Sequence, residues 1–367
     1  MHILLLEPYL TGSHRAWAEG YAAHSRHQVY ILSLPGRWWK WRMHGGAVTL
    51  ARFFSARGSQ PAPDLILATD MLDLTTFLAL TRAQTANAAA VYYFHENQLT
   101  YPPPPGEKRA LQYGFNNKAA ALAADAAYIN SRFHLEAFFG ELPRLLKHFP
   151  DYNELETIDA LRRKSDVLPL GLWLRHFDAH QPDAPRQGPP LIVWNHRWEY
   201  DKQPAVFFEA LYQLADEGVA FEVAICGENF RQQPEEFERA RARLGARVVQ
   251  FGYVERFADY ARLLWEADVQ VSTAVQDFFG ISTCEAIYCG CAPLLPRRLN
   301  YPALIAPPYQ DDYLYGEGEL VDKLRAMLTT RHKPPRTLRW YVSGFDWSEM
   351  AARYDDVFEA AVRSRQR

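Results

Sequence analysis

Two carboxylates eight residues apart, Asp277 and Glu285, bracket the segment Gln276-Asp277-Phe278-Phe279-Gly280-Ile281-Ser282-Thr283-Cys284-Glu285. An apolar run over 267–272 precedes it, so the segment reads as a strand, a loop and the start of a helix. Gly280 permits close backbone approach. A helix opening over Gly280, Ile281 and Ser282, with Phe279 just ahead of it, turns free N–H groups and a positive dipole end toward a phosphate. Asp277 then sits in the loop and Glu285 about one and a half turns into the helix. Carboxylates so placed can flank a nucleotide sugar, one accepting from the sugar's hydroxyls and the other from those of the ribose. The spacing alone also suits an acidic loop residue followed by a solvated helical Glu.

A second cluster, Trp194-Asn195-His196-Arg197-Trp198-Glu199-Tyr200-Asp201-Lys202, follows an apolar run. Arg197 offers a bidentate fork and Lys202 a point charge to a diphosphate, whose terminal charge grows as a nucleoside diphosphate departs. Surface ion pairs with Glu199 or Asp201 are the plain alternative. In the first half, Gly12-Ser13-His14 follows the first apolar run and opens a helix, and His95-Glu96-Asn97 follows the fourth. A glycine turn suits close approach of a phosphate or sugar, while His95 can hydrogen-bond a donor sugar or steady developing positive charge. A structural histidine would look the same.

The run Arg37-Trp38-Trp39-Lys40-Trp41-Arg42 interleaves aromatics with cations, as stacking on unpaired bases with phosphate contact requires. Tryptophans and arginines also pack in ordinary surfaces. Asn97, and Asn117 in Gln112-Tyr113-Gly114-Phe115-Asn116-Asn117, are polar candidates beside it for an acceptor. The proline tract 102–105 between them would stiffen a loop.

These groups need elements to hold them. Apolar runs over 2–7, 27–32, 64–69, 89–94, 126–130 and 167–170 alternate with helix-like stretches, which predicts an α/β domain with a parallel, doubly wound sheet. Periodicity fails over 177–190, where Pro182, Pro185, Pro189 and Pro190 interrupt any helix, so this stretch reads as the linker. The rhythm restarts with strands at 191–194, 221–226, 248–251, 269–272 and 292–295 and helices at 205–217, 235–244 and 257–266. The expected domains are 1–175 and 186–340, with a last helix near 347–365 packing back on the first. Ligands of such sheets lie beyond the strands' carboxyl ends, which two facing domains turn into a cleft.

At 367 residues with 48% hydrophobic and 23% charged positions, the chain is ordinary globular material with room for two cores. The expectation is a chain with neither a secretory leader nor a membrane span, and its four cysteines (Cys226, Cys284, Cys289, Cys291) lack metal-site or disulfide spacing. A reducing cytoplasm is the expected location. Residues 1–150 hold 14 Lys/Arg against 10 Asp/Glu, leaving 26 against 33 for the rest, a bias that plain solvated surface gives and that a polyanionic acceptor docking on the first half would also produce.

Taken together, the Asp277/Glu285 pair with Arg197 and Lys202 resembles the signature of the retaining GT-B glycosyltransferases called family 4. Within them, the segments EPYLTGSHRAWAEG, YYFHENQLTYP, QYGFNN, NSRFHLEAF, VWNHRWEYDKQP, VQDFFGISTCEAIYCGCAPLLP and FDWSEMAARY resemble the tRNA-queuosine mannosyltransferase family over nearly the whole chain. The resemblance implies a GT-B fold, two Rossmann-like doubly wound domains facing across a cleft. It implies transfer of mannose from GDP-mannose to the cyclopentenediol of queuosine in a tRNA anticodon loop, with no metal and no membrane. It puts Arg197 and Lys202 on the diphosphate, Glu285 on the ribose, Asp277 on the sugar's 3- and 4-hydroxyls and His95 at its 6-hydroxyl. Gly12 would lie against the donor phosphates, and Gly227, Glu228, Tyr253 and Val254 around the guanine and ribose. The family pattern has Glu where this chain has Asp277, one methylene shorter, so either the loop comes closer or the preferred sugar differs. Two other readings share these features: a GT-B enzyme acting on a lipid or small metabolite, and a non-catalytic nucleotide- or RNA-binding module. No protein partner is implied.

Overall fold

In the computed structural model, residues 1–58, 61–103, 106–227, 235–331 and 333–366 are described. They form two compact units, Met1–Trp173 with Phe345–Arg367, and Leu174–Gly344. No helix among the described residues is long and apolar enough to cross a membrane.

The first unit is built on β1 (His2–Leu10), β2 (Gln28–Pro35), β3 (Leu65–Thr69), β4 (Ala89–Phe94), β5 (Ala126–Ile129) and β6 (Ser165–Val167), in the order β2-β1-β3-β4-β5-β6. Every pairing is parallel. Strands covered on both faces must be apolar throughout rather than alternating, and Ile3, Leu4, Leu5 and Leu6 of β1 are all buried. Leu4 and Leu6 share one core with Ile66, Tyr92 and Phe94 of the neighbouring strands and with Leu50 and Phe54 of the helix Trp39–Ser55. On the other face Trp17 stacks on Tyr93 at 4.8 Å and donates from Nε1 to the Tyr354 hydroxyl at 3.0 Å.

That last contact belongs to the C-terminal helix Trp347–Arg365, which lies in the first unit. Asp355 fastens it, accepting from the Tyr21 hydroxyl (2.9 Å), Ser25 Oγ (2.6 Å) and the Arg26 amide (2.9 Å). Three partners offset the cost of burying that carboxylate.

The second unit carries β7 (Leu191–Asn195), β8 (Glu222–Cys226), β9 (Val248–Gly252), β10 (Val269–Val271), β11 (Ala292–Pro296) and β12 (Leu314–Tyr315), in the order β12-β11-β10-β7-β8-β9. Strand order reverses between β1 and β3 in one sheet and between β7 and β10 in the other. In doubly wound sheets that reversal opens a crevice at the carboxyl ends.

Several elements differ from the sequence reading, β1 running on to Leu10 and β2 to Pro35 among them. The strand expected at 167–170 is Ser165–Val167, and Leu168 closes the ladder by donating to the Ile129 carbonyl at 3.0 Å before Pro169 leaves it. The expected linker begins inside a 3-10 helix, Leu174–His180. Phe177 there is buried against Phe257 at 4.9 Å and accepts at its carbonyl from Trp265 Nε1, so only 181–190 lacks regular structure. β12, two residues long, is too short to show a period.

Candidate active site

In the second unit the site grows from the carboxyl ends of β7 and β10. Asn195, the last residue of β7, donates from Nδ2 to the Ser282 carbonyl (3.0 Å) and to the Tyr260 hydroxyl (3.1 Å). Tyr260 passes its own proton toward Glu285 Oε2 at 2.7 Å. One asparagine thus ties the strand end to the helix Ile281–Tyr288, and one tyrosine fixes the carboxylate on that helix. Burial pushes the Glu285 carboxyl up to about 7, the Tyr260 hydrogen bond pulling the other way. A carboxylate held at one oxygen keeps its other for a ligand hydroxyl.

Gly280 caps this helix in the left-handed region (φ 97°), where a side chain is strained and a Cβ would come 2.8 Å from Leu304 Cδ1. The Phe279 carbonyl ahead of it accepts from buried Asn300 at 2.8 Å. Asp277 accepts from the Phe279 amide (3.3 Å) and from the Tyr301 hydroxyl (3.2 Å), which also contacts Ser272 Oγ at 2.7 Å. The loop is held from outside by Arg298, whose guanidinium donates to the carbonyls of Thr273 and Ala274, both at 3.0 Å.

Lys202 is buried, donating from Nζ to the Gln276 carbonyl at 2.6 Å and lying 3.1 Å from Asp201 Oδ2. It therefore meets the loop of Asp277 in the fold, although 74 positions separate it from Gln276 in the chain. Arg197 is half exposed, with Nη2 3.5 Å from Glu199 Oε2, the ion pair that its sequence neighbours suggested. His196, just ahead of Arg197 in the chain, is buried, its imidazole pushed down to about 3 by burial and then by Lys202, so it stays neutral. Gly227, after β8, has φ 145°, and a Cβ there would lie 1.8 Å from the His196 carbonyl oxygen. Tyr253 and Val254 follow β9, with the Tyr253 ring more than half exposed. Glu228 lies outside the described residues.

The first unit gathers a second set at the carboxyl ends of β1, β3 and β4. Gly12 and Ser13 open the helix Gly12–His24, which carries His14 to 2.9 Å (Nδ1) from Oε2 of Glu7, a fully buried strand carboxylate. The other Glu7 oxygen accepts from the Tyr9 amide at 2.8 Å. His95 packs on His14 with ring centroids 4.3 Å apart. Its amide donates to Asp70 Oδ1 (2.8 Å) and its carbonyl accepts from Asn130 Nδ2 (2.8 Å), while its ring Nε2 is buried with no protein partner. Burial opposes charge on His14, but Glu7, Asp70 and Glu96 outweigh it and raise the imidazole to about 9. Burial, His14 and His134 hold His95 well below its ordinary value. Carboxylate and ring atoms of Glu7, His14 and His95 lie within 4.8 Å of one another, the reach of a divalent ion, but Glu7 and His14 are already paired directly.

The structure separates the residues considered for an acceptor. Trp38 and Trp41 are 78% and 62% exposed at the start of the helix Trp39–Ser55, with Lys40 over the Trp39 ring at 5.7 Å and Arg42 reaching the Pro35 carbonyl. Trp39 packs inward on Tyr113 at 5.2 Å. Arg37 stands one residue ahead of Trp38, whose backbone is left-handed (φ 57°). Asn97 and Asn117 are fully buried instead. Asn97 Oδ1 accepts from the amides of Leu99 and Thr100, and Asn117 bridges the Gln98 amide and the Asp70 carbonyl. Both shape the loop after β4 and offer nothing at its surface. Glu7, Asp70, Tyr260 and Tyr301 do not stand out in the sequence. Glu7 and Asp70 do end apolar runs with a carboxylate, the one signal that points to them.

A family model described as tRNA-queuosine alpha-mannosyltransferase N-terminal matches residues 2–172, and one described as Glycosyl transferases group 1 matches residues 177–338. The chain is 31% identical to the tRNA-queuosine alpha-mannosyltransferase of Drosophila melanogaster, over 100% of this chain and 98% of that protein. Among solved structures it is similar to sucrose-phosphate synthase from Thermosynechococcus elongatus, with a TM-score of 0.72 at 16% identity over 99% and 100% of the two chains. The catalytic domain of starch synthase IV from Arabidopsis thaliana gives 0.70 at 10% identity over 99% of each. At such identities the likeness carries the fold alone, which is GT-B.

Proposed function

This chain belongs to the tRNA-queuosine alpha-mannosyltransferase family, and from that premise we propose that it moves mannose, with retention, from GDP-mannose to a cyclopentenediol hydroxyl of queuosine in a tRNA. It is a glycosyltransferase; the donor, the stereochemistry and the metal independence are the parts proposed. The observation that carries the reading is the hydrogen-bonded set Asn195–Tyr260–Glu285 at the β7/β10 reversal, with Lys202 on the loop of Asp277.

In this reading Glu285 accepts from the ribose hydroxyls, and Arg197 and Lys202 take the diphosphate together with the amides of Ile281 and Ser282. Gly227, Tyr253 and Val254 border the base. Asp277, steadied by Tyr301, accepts from hydroxyls of the sugar, and His95 takes another of its hydroxyls. As the bond from C1 to the phosphate oxygen breaks, the bond from C1 to the acceptor oxygen forms on the same face. The acceptor's proton passes to the departing phosphate oxygen, whose charge Arg197 and Lys202 stabilise. No protein nucleophile is needed, unlike the paired-carboxylate route of retaining glycosidases.

The acceptor assignment draws on Trp38 and Trp41, two exposed rings among cations, suited to unstacked anticodon bases. A tRNA substrate would place the enzyme in the cytoplasm. The test is to incubate the protein with a panel of nucleotide sugars and tRNA with or without queuosine, then weigh the digested nucleosides. A hexose on queuosine from GDP-mannose alone is expected. Transfer from another nucleotide sugar would overturn the donor, and an unchanged queuosine mass with every donor would overturn the acceptor.

A further inference from the structure

Glu7 presents a problem that its surroundings answer. A carboxylate inside a strand, fully buried, is stable only when paired or fully hydrogen-bonded. One oxygen takes the Tyr9 amide and the other takes His14 Nδ1 at 2.9 Å. This commits one ring nitrogen of His14 and fixes the plane of its imidazole, leaving Nε2 as the nitrogen free to meet something else.

His95 is held as firmly by other means. Asp70 grips its amide and Asn130 its carbonyl, each at 2.8 Å, and Asn130 is itself oriented by His134 at 2.8 Å. Trp17 and Tyr93 wall the ring edge-on at 4.6 and 5.1 Å, and His14 covers it at 4.3 Å. A ring locked this well by backbone and aromatic contacts still leaves a buried Nε2 without a protein partner. Most buried side-chain polar groups are hydrogen-bonded, and this nitrogen, on a ring packed against His14, is placed to receive a ligand's donor.

We infer that Glu7 is a positioning residue that locks His14 beside His95, and that the two rings form a clamp for one hydroxyl, His14 donating from Nε2 and His95 receiving at its unpartnered Nε2. A hydroxyl both donates and accepts, so it satisfies both rings at once, whereas an anion or a cation would satisfy one and repel the other. The titratable groups facing His14 are Glu7 from β1, Asp70 from the turn after β3, whose carboxyl burial pushes up to about 8, and Glu96 from the loop after β4; burial holds His95 neutral. They keep His14 a donor on both nitrogens, and its charge helps keep His95 uncharged. The hydroxyl belongs to the transferred sugar or to the acceptor ring. The inference rests on assigning His95 to the transfer reaction.

The test combines a titration with kinetics on the full chain. In histidine-labelled native protein, the His14 ring should stay protonated until about pH 9, and in Glu7→Gln it should lose its proton about two pH units lower. With GDP-mannose and queuosine-bearing tRNA, native kcat/KM should hold until His14 titrates. Glu7→Gln should lose roughly tenfold or more near pH 8 and recover most of it near pH 6, where His14 is again charged. A merely structural defect would lower activity at both pH values alike. A rise in KM for GDP-mannose assigns the hydroxyl to the sugar, and a rise for the tRNA assigns it to the acceptor. Superimposable profiles for Glu7→Gln and native protein, with His95→Ala inactive, overturn the clamp alone. Native-rate transfer by His95→Ala overturns the assignment of His95 and the clamp with it. Should Glu7→Gln not fold, an ordinary His14 titration in the native chain would still overturn the inference.

Discussion

Glu285 is held near 7 by burial, so without nucleotide its carboxyl is largely protonated in mild acid and charged in mild base. Its folded value lies above its unfolded one. Its contribution to stability is therefore full below about 4.5 and is lost as pH rises through about 7. For the nucleotide-free protein we expect a thermal midpoint that declines from pH 5 to pH 8, and Glu285→Gln should flatten that slope, a difference of roughly 2 kcal/mol at the alkaline end. Nucleotide binding should run the opposite way, strengthening with pH, because in the proposed role of Glu285 the ribose hydroxyls donate to its ionised form. A midpoint independent of pH in both proteins would contradict the assigned environment. Glu285 itself was legible from its eight-residue offset to Asp277 and the glycine between them. Its partner Tyr260 was not, because a tyrosine on an amphipathic helix 25 residues upstream looks like any other half-buried aromatic. The same holds for Tyr301 behind Asp277, and for Glu7, whose carboxylate is hidden in a strand that otherwise reads as pure core.

Elements bring such residues together, and the strands were the most legible part because a sheet covered on both faces leaves uninterrupted apolar runs. Leu191–Asn195 is buried at every position, and its apolar run is plain in the sequence. What periodicity could not show is where chain punctuation is tolerated: Phe177 lies in a stretch whose prolines suggest a linker, yet tertiary packing on Phe257 and Tyr260 folds it into a 3-10 helix. The loop after β8 carries a sharper constraint. Since a Cβ on Gly227 would overlap the His196 carbonyl and force a strained φ, Gly227→Ala should cost more than about 2 kcal/mol in urea unfolding and weaken nucleotide binding together. Unchanged stability would mean that the β7 and β8 loops are not in contact. The helix Trp39–Ser55 predicts the reverse pattern. Trp38 and Trp41 are exposed, so their replacement by Ala should change stability by less than about 0.5 kcal/mol. Each should nonetheless weaken tRNA binding by about 1–3 kcal/mol if its ring stacks on a base. Equal tRNA affinity in both variants, measured by fluorescence titration, would remove this face from the acceptor site.

At the scale of the molecule, the charge bias seen in the first 150 residues mostly disappears once the folded units replace the chain halves. The unit Met1–Trp173 with Phe345–Arg367 holds 21 basic against 20 acidic residues, and Leu174–Gly344 holds 19 against 23. The C-terminal helix returns acid to the first unit, where Asp355, Asp356 and Glu359 surround Arg26. Attraction for a polyanion must therefore be local. One segment stands apart: residues 20–63 contain six Lys/Arg and no Asp or Glu, and they include the exposed tryptophans. Because each phosphate neutralised by a side chain releases counterions, tRNA affinity should fall steeply with salt while nucleotide affinity changes little. Replacing Lys40 and Arg42 together by Gln should then reduce the log–log salt slope for tRNA by roughly two and leave the KM for GDP-mannose within about twofold. Running the same transfer in EDTA should leave the rate unchanged, since the proposed charge stabilisation belongs to Arg197 and Lys202. A double variant with the native salt slope would show that the tRNA docks elsewhere. Loss of transfer in EDTA, restored by a divalent ion, would show that a metal shares the stabilisation of the leaving diphosphate with those two side chains.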